Sequence, residues 1–205
     1  MEVLRGLDLE VAAGEKLAVS GESGVGKSTL LHLLGALDTP TAGTVAIQGQ
    51  PVSSWDGAKR AELRSCHLGF VFQFHHLLAE FTVRENVLMP AVIAGTESAE
   101  SGQRADQLLQ RLGLTARAAH RPAQLSGGEQ QRAAIARALL MGPGIVLADE
   151  PTGNLDPRIG GEVFDLLLEL AVERTFTLVV VTHNGDLAKR CDRALRLTRE
   201  GLAAE

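Results

Sequence analysis

The run Gly21-Glu22-Ser23-Gly24-Val25-Gly26-Lys27-Ser28 follows the apolar stretch Leu17-Ala18-Val19 and precedes Thr29-Leu30-Leu31-His32-Leu33-Leu34. It reads as strand, glycine loop, helix. A phosphate chain can be wrapped by backbone N–H groups only where no side chain blocks the approach, and the glycines provide that opening. The helix that follows points its positive N-terminal end at the anion. In the pattern G-x-x-x-x-G-K-[ST], Lys27 reaches the β- and γ-phosphates of a nucleotide and the Ser28 hydroxyl is a ligand for Mg²⁺. Gly21 through Thr29 are therefore the candidate phosphate residues. Taken alone, the same run also fits a glycine-rich turn with no ligand, because 22 of the 205 residues are glycine.

With 45% hydrophobic residues, a chain of this length can bury a sizeable core as a single domain with a smaller lobe. The net charge is −5, and the basic residues are spread along the chain, so nucleic acid is disfavoured as a partner. No run of about 18 apolar residues occurs, and Met1-Glu2-Val3-Leu4-Arg5 lacks the apolar core of a signal peptide. A soluble, cytosolic chain is expected. Cys66 and Cys191 lie far apart without metal-ligand spacing and read as reduced thiols.

Residues 2 to 19 alternate apolar and polar around Val3, Leu4, Leu7, Leu9 and Val11, break at Ala13-Gly14-Glu15 and resume at Leu17, which predicts a hairpin. A helix over about 28–37, a turn at Asp38-Thr39-Pro40, a strand at Thr44-Val45-Ala46-Ile47 and a short helix over about 55–64 follow. Leu68-Gly69-Phe70-Val71-Phe72 reads as a buried strand ending at Gln73. Residues 74–125 carry helical apolar spacing at Val83, Val87 and Leu88 and at Leu108, Leu109 and Leu112, which predicts an inserted helical lobe. Ile145-Val146-Leu147-Ala148 and Leu178-Val179-Val180-Val181 are continuous apolar runs of strand length around a helix over 157–174, as in a parallel sheet covered on both faces. Gly160 and Gly161 weaken that helix by roughly 1 kcal/mol each relative to alanine.

Two further stretches carry chemistry. Leu125-Ser126-Gly127-Gly128-Glu129-Gln130 is a small-residue turn opening onto the strong helix former Ala133-Ala134-Ile135-Ala136. By itself it reads equally as a serine cap on a surface helix. The strand at 145–148 ends in Asp149-Glu150, which could hold Mg²⁺ through Asp149 and orient or deprotonate water through Glu150, or could simply be a polar strand end. His183 after Val181-Thr182 has the same two readings.

The phosphate loop, Gln73 after a strand, LSGGEQ over 125–130, Asp149-Glu150, Asn154-Leu155-Asp156 and His183, in that order, resemble an ABC transporter nucleotide-binding domain over nearly the whole chain. Phe72-Gln73-Phe74-His75-His76-Leu77-Leu78, Thr82-Val83-Arg84-Glu85-Asn86-Val87, His120-Arg121-Pro122 and Pro151-Thr152-Gly153 are similar to the lipoprotein-releasing branch of that family. The macrolide-exporter and cell-division ATPases share much of this, and a soluble ABC ATPase acting on nucleic acid is a third reading. The resemblance implies a P-loop NTPase of α/β class with a mainly parallel sheet, an N-terminal antiparallel β-subdomain and an inserted helical subdomain at 74–125 within one domain, 1–205. It implies an ATPase with ATP and Mg²⁺ at the cytoplasmic face of the inner membrane, acting as a head-to-tail dimer. Ser126, Gly127 and Gly128 of one copy would face the phosphate loop of the other, with Asp156 at that junction. Glu150, His183 and Gln73 would be catalytic; Ser28, Gln73 and Asp149 would hold the metal. The helical subdomain and the region after Gln73 would contact transmembrane permease subunits. One departure stands out: no Phe, Trp or Tyr precedes Trp55, whereas the family stacks adenine on a ring upstream of the phosphate loop. A shortened or misplaced N-terminus and weaker adenine selectivity are expected from that.

Overall fold

The two apolar runs lie side by side at the centre of the molecule, buried on both faces because their alternate side chains enter different cores. The computed structural model describes residues 3–204. In chain order the elements are β1 (Lys16–Ser20), α1 (Lys27–Leu34), α2 (Gly57–Cys66), β2 (Leu68–Phe72), α3 (Val83–Ile93), α4 (Ala99–Arg111), α5 (Gly127–Leu139), β3 (Ile145–Asp149), α6 (Pro157–Arg174), β4 (Thr177–Val181), α7 (Gly185–Ala188), β5 (Arg193–Thr198) and β6 (Gly201–Ala204). The strands form one sheet in the order β2-β3-β4-β1-β5-β6, with only β6 antiparallel to its neighbour.

On one face, Val146 and Ala148 of β3 and Leu178 and Val180 of β4 join Ala133, Ile135 and Ala136 of α5 and Val163, Phe164 and Leu167 of α6. On the other, Leu147, Val179 and Val181 join Leu17 and Val19 of β1 and Leu30 and Leu31 of α1. This period-two partition is why strands of a doubly covered sheet read as unbroken apolar runs. The regular elements between 74 and 125 are all helical. α3 begins in a capping box, with Thr82 accepting from the Glu85 N–H and the Glu85 carboxylate accepting from the Thr82 N–H. Val83, Val87, Leu88, Leu108, Leu109 and Leu112 are all buried, in the same core that backs α5.

Three expectations from the sequence change. The hairpin over 2–19 does not form: among the described residues its only strand is β1, whose two edges are already paired in parallel with β4 and β5. With no free edge, the upstream residues run without a ladder and instead lay Leu4, Leu7, Leu9 and Val11 on the core beneath β1. Side chains anchor them, the Arg193 guanidinium donating to the Glu10 carbonyl and the Gly14 N–H to the Thr177 hydroxyl. The strand at 44–47 reduces to a single bridge between Ile47 and Gln50, while Val45 and Ile47 pack beside Trp55 and Leu63. The antiparallel pairing of the sheet comes from the other end of the chain, β5 with β6.

Candidate functional site

The register of the sheet assembles the site. Phe72, Asp149, Val181 and Val19 stand in one row across β2, β3, β4 and β1. The next residue along each strand is Gln73, Glu150, Thr182 and Ser20, so four loops leave the carboxyl edge of the parallel sheet together, where open α/β sheets bind ligands.

At the end of β1, the chain turns through Gly24 and Gly26 with φ of +79° and +110°, values that side-chain-bearing residues rarely adopt. A Cβ on Gly26 would stand 2.7 Å from Leu4 Cδ2, so the loop wraps tightly over the N-terminal segment. α1 opens at Lys27 with Gly26 as its cap, no side-chain cap and no acidic residue in its first turn. Lys27 is buried, and its Nζ donates to the carbonyls of Gly21 (2.8 Å) and Glu22 (3.0 Å), which closes the loop around its own cation. Ser28 is exposed and Thr29 half-buried. A cavity of about 200 Å³ lies between residues 22–25 of this loop and residues 196–199 of the β5–β6 hairpin.

At the end of β3, Glu150 sits in the left-handed region with φ +45°, an uncommon conformation for a residue with a side chain and one that clusters at functional positions. Its N–H donates to the Val181 carbonyl at 2.9 Å, extending the ladder by one step. Both carboxylate oxygens are engaged. Oε1 lies 2.9 Å from His183 Nδ1 and Oε2 accepts from the Thr182 hydroxyl at 3.1 Å. The Glu150 side chain is 14% exposed and that of His183 67%, so the carboxylate is held inside while the imidazole reaches the surface. Gln73 and Asn154 grip each other: Gln73 Nε2 donates to Asn154 Oδ1 (3.1 Å) and Asn154 Nδ2 to the Gln73 carbonyl (3.0 Å). Gln73 also covers Gly153, where a Cβ would meet its Nε2 at 2.8 Å.

The LSGGEQ turn occupies a different place. Ser126 caps α5, accepting from the Glu129 N–H, while the Glu129 carboxylate accepts from both the N–H and the hydroxyl of Ser126 at 2.7 and 2.9 Å. Arg117 completes the cluster at 2.9 Å, and with these bonds it pushes the Glu129 carboxyl down to about 2. Gly127 and Gly128 back onto the start of α6, where Cβ atoms would meet Leu155 Cδ2 at 3.2 Å and Ile159 Cγ2 at 2.7 Å. Asp156 caps α6, its Oδ1 accepting from the Ile159 N–H at 3.1 Å. The fold thus brings Lys27, Gln73, Asp149, Glu150 and His183 to one sheet edge, and sets Ser126, Gly127, Gly128 and Asp156 together against α6.

The ABC transporter family model matches residues 4–153. The chain belongs to the ABC transporter family. The chain is 55% identical over 195 residues, 95% of its length and 80% of the relative's, to the lipoprotein-releasing system ATP-binding protein LolD of Xanthomonas axonopodis pv. citri. It is 51% identical over 205 residues to LolD of Paramagnetospirillum magneticum, covering 100% of this chain and 90% of that one. Among solved structures it is similar to the dimeric bacterial ABC transporter cassette MJ0796 (TM-score 0.88, 40% identity, 98% and 88% of the two chains). A post-hydrolysis dimer of that cassette bound to ADP and Pi matches as well (TM-score 0.88, 38% identity, 98% and 90%). As an ABC ATPase, the chain binds and hydrolyses ATP.

Three further residues hold the geometry of this sheet edge and carry only weak signals in the sequence. Thr182 fixes Glu150, and its signal is a hydroxyl at the strand end beside β3. Asn154 pins Gln73, and its signal is only its place at the head of the Asn154-Leu155-Asp156 run. Arg137 reaches the carbonyls of His75 and His76, and its signal is a lone cation in the alanine-rich run of α5.

Proposed function

We propose that this chain is the ATP-hydrolysing subunit of an inner-membrane ABC complex that releases lipoproteins, working as two copies arranged head to tail on the cytoplasmic face. The observation that carries the reading is Glu150 fixed between His183 and Thr182 one step beyond the sheet, in the same row as Gln73 and the start of the phosphate loop. Identity of 55% to a relative named for lipoprotein release supports the substrate class.

The backbone N–H groups of Gly21 through Thr29, together with Lys27, hold the phosphates at the bare N-terminus of α1. Ser28 and Asp149 offer hard oxygen donors, and the Gln73 amide oxygen is not engaged in the pair that its Nε2 makes with Asn154. A small set of this kind suits Mg²⁺, which keeps waters and phosphate oxygens in its shell and, when bound, offsets charge on the phosphates. Glu150 orients water for in-line attack and takes its proton, His183 meets the γ-phosphate through its exposed ring, and Gln73 reports on the occupied site. Ser126, Gly127 and Gly128 of the second copy close the site, and Asp156, with one oxygen committed to its helix, offers the other to the partner.

Residues 74–125 form the inserted lobe that meets the permease, where Phe74, Leu78 and Phe81 are 65%, 42% and 39% exposed. The net charge of −5 argues against nucleic acid as a partner. The test is co-expression with the transmembrane subunits of a lipoprotein-releasing system, followed by purification and lipoprotein-release assays in proteoliposomes. ATP-dependent release is expected from the wild type. Leu78→Asp should lose copurification while melting at the wild-type temperature. Robust ATP turnover with drug efflux, or with no release of lipoprotein, would overturn the assignment.

A further inference from the structure

Between β2 and α3 the chain has no regular structure over residues 73–82, yet side chains hold it at three places. Asn154 grips Gln73 at its start. Asn86, fully buried, grips its end: Oδ1 accepts from the Leu78 N–H at 2.7 Å and Nδ2 donates to the carbonyls of Leu78, Phe81 and Thr82 at 3.0, 3.2 and 2.9 Å. The middle is held by α5. Arg137 donates through Nη2 to the His75 carbonyl (2.8 Å) and through Nη1 to the His76 carbonyl (2.6 Å). One turn and a half earlier on the same helix, Gln131 Nε2 donates to the Phe72 carbonyl at 3.3 Å.

Two features separate this arrangement from ordinary loop packing. Among the described residues Arg137 forms no ion pair, so a half-buried guanidinium is balanced by main-chain carbonyls alone, and burial pulls its pKa below the usual arginine value. His76 is held at φ +48°, a conformation that costs energy for a non-glycine residue and persists only where its surroundings impose it. A methyl-rich side chain would fill the space around Arg137 but could not turn two consecutive carbonyls toward one point.

We infer that Arg137 is a positioning residue that ties the 73–78 segment to α5, so that Gln73 and the exposed Phe74–Leu78 face are set by the same helix that carries Ser126 at its N-terminus. α5 then acts as one rigid member with the signature serine at one end and the grip on the Gln73 segment near the other. A shift of α5 when a second copy engages Ser126 moves Gln73 and the permease-facing side chains in step. The inference rests on the roles given above to Gln73 and Ser126.

The test uses the full chain, alone and in complex with its membrane subunits. Arg137→Met should leave the KM for MgATP within about twofold, because the phosphate loop is untouched, while kcat falls about tenfold or more and the response to the membrane subunits is lost. Arg137→Gln, which keeps one donor, should be intermediate. It is the deciding variant if Arg137→Met gives no cooperative melt. Adding His76→Gly to either variant should restore part of kcat, since glycine adopts the left-handed turn unaided; a purely structural role predicts that the melting temperature recovers and kcat does not. Wild-type kcat and partner response in a folded Arg137→Gln protein would overturn the inference. Glu150→Gln run in parallel separates the two failures: if it still turns over, the assignment of the site is wrong, and if it is dead while the Arg137 variants behave as wild type, only the positioning role falls.

Discussion

The two helix N-termini expected to meet a nucleotide are built in opposite ways. α1 begins at a left-handed glycine, with no capping side chain and no acidic residue in its first turn, so its free N–H groups have nothing of their own to satisfy them. α5 begins in a complete capping box and already carries a carboxylate, Glu129, against its N-terminus. An anion arriving at α1 gains the whole helix-end field, whereas at α5 much of that field is neutralised before any ligand arrives. On the function proposed above, the contrast gives the two ends different work: α1 binds nucleotide within one copy, and α5 adds the Ser126 hydroxyl and the glycine N–H groups when a second copy brings them into place. A site so divided would tie hydrolysis to dimer formation.

The largest effect should come from removing the group that separates assembly from turnover. Glu150→Gln keeps the bonds available to His183 and Thr182 in shape but cannot take a proton, and should lower kcat about 10²- to 10⁴-fold. ATP-bound dimer should accumulate on size-exclusion chromatography. Phosphate release near the wild-type rate would show that Glu150 is not the base.

Ser126→Arg attacks the capped end alone. Turnover should fall about hundredfold or more, since the variant helix end carries bulk and charge where a transition-state donor is needed. Nucleotide binding by the monomer, followed with a fluorescent ATP analogue, should be unchanged because α1 is intact. Lost binding in a verified monomer would place Ser126 at its own chain's phosphates and remove the division between the two ends.

Gly69→Ala strikes the joint that holds the two ends at a fixed distance. A Cβ there would stand 2.6 Å from the Ala138 carbonyl oxygen, a main-chain atom of α5 that cannot swing away. The substitution should destabilise the fold by about 1–3 kcal/mol in urea unfolding. An unchanged midpoint would mean that β2 and α5 are free to separate, and the rigid connection between Gln73 and α5 would go with it.

Much of this was legible because burial leaves a direct trace in the sequence. The runs at 68–72 and 145–148 and the periodicity over 157–174 correspond to β2, β3 and α6, elements whose every second or third side chain has no solvent alternative. The failures come from partners that a sequence does not display. Leu7, Leu9 and Val11 do alternate half-buried with exposed neighbours, but a strand also needs a free edge, and β4 and β5 had taken both edges of β1. β5 went unseen because Arg193, Arg196 and Thr198 break up its two leucines on an edge-proximal strand. In the site, the loop and the acids announced themselves by residue type. The grips of Thr182 on Glu150, Asn154 on Gln73 and Arg137 on residues 75–76 depend on register and on main-chain carbonyls, which every residue has.

The smallest effect, and the most specific to the contrast between the helix ends, is its pH dependence. Glu129 is held as a carboxylate first by Arg117 and then by the Ser126 N–H and hydroxyl, which lower its pKa from 4.5 to about 2. A carboxyl group depressed on folding stabilises the native state fully above its unfolded pKa, and that contribution disappears as pH falls from about 4.5 through about 2, where both states are protonated. The Arg117 side chain is 44% exposed, so solvent screens part of the pair and the effect is modest. Glu129→Gln should therefore be less stable than the wild type at pH 7 and the gap should narrow steadily between pH 4.5 and 2 in urea titrations. α1 has no corresponding acid, so no substitution in its first turn can produce that narrowing. A gap that stays constant across the window would mean that the Glu129 carboxylate does not bear on the α5 terminus, and that this end is as open to an anion as the other.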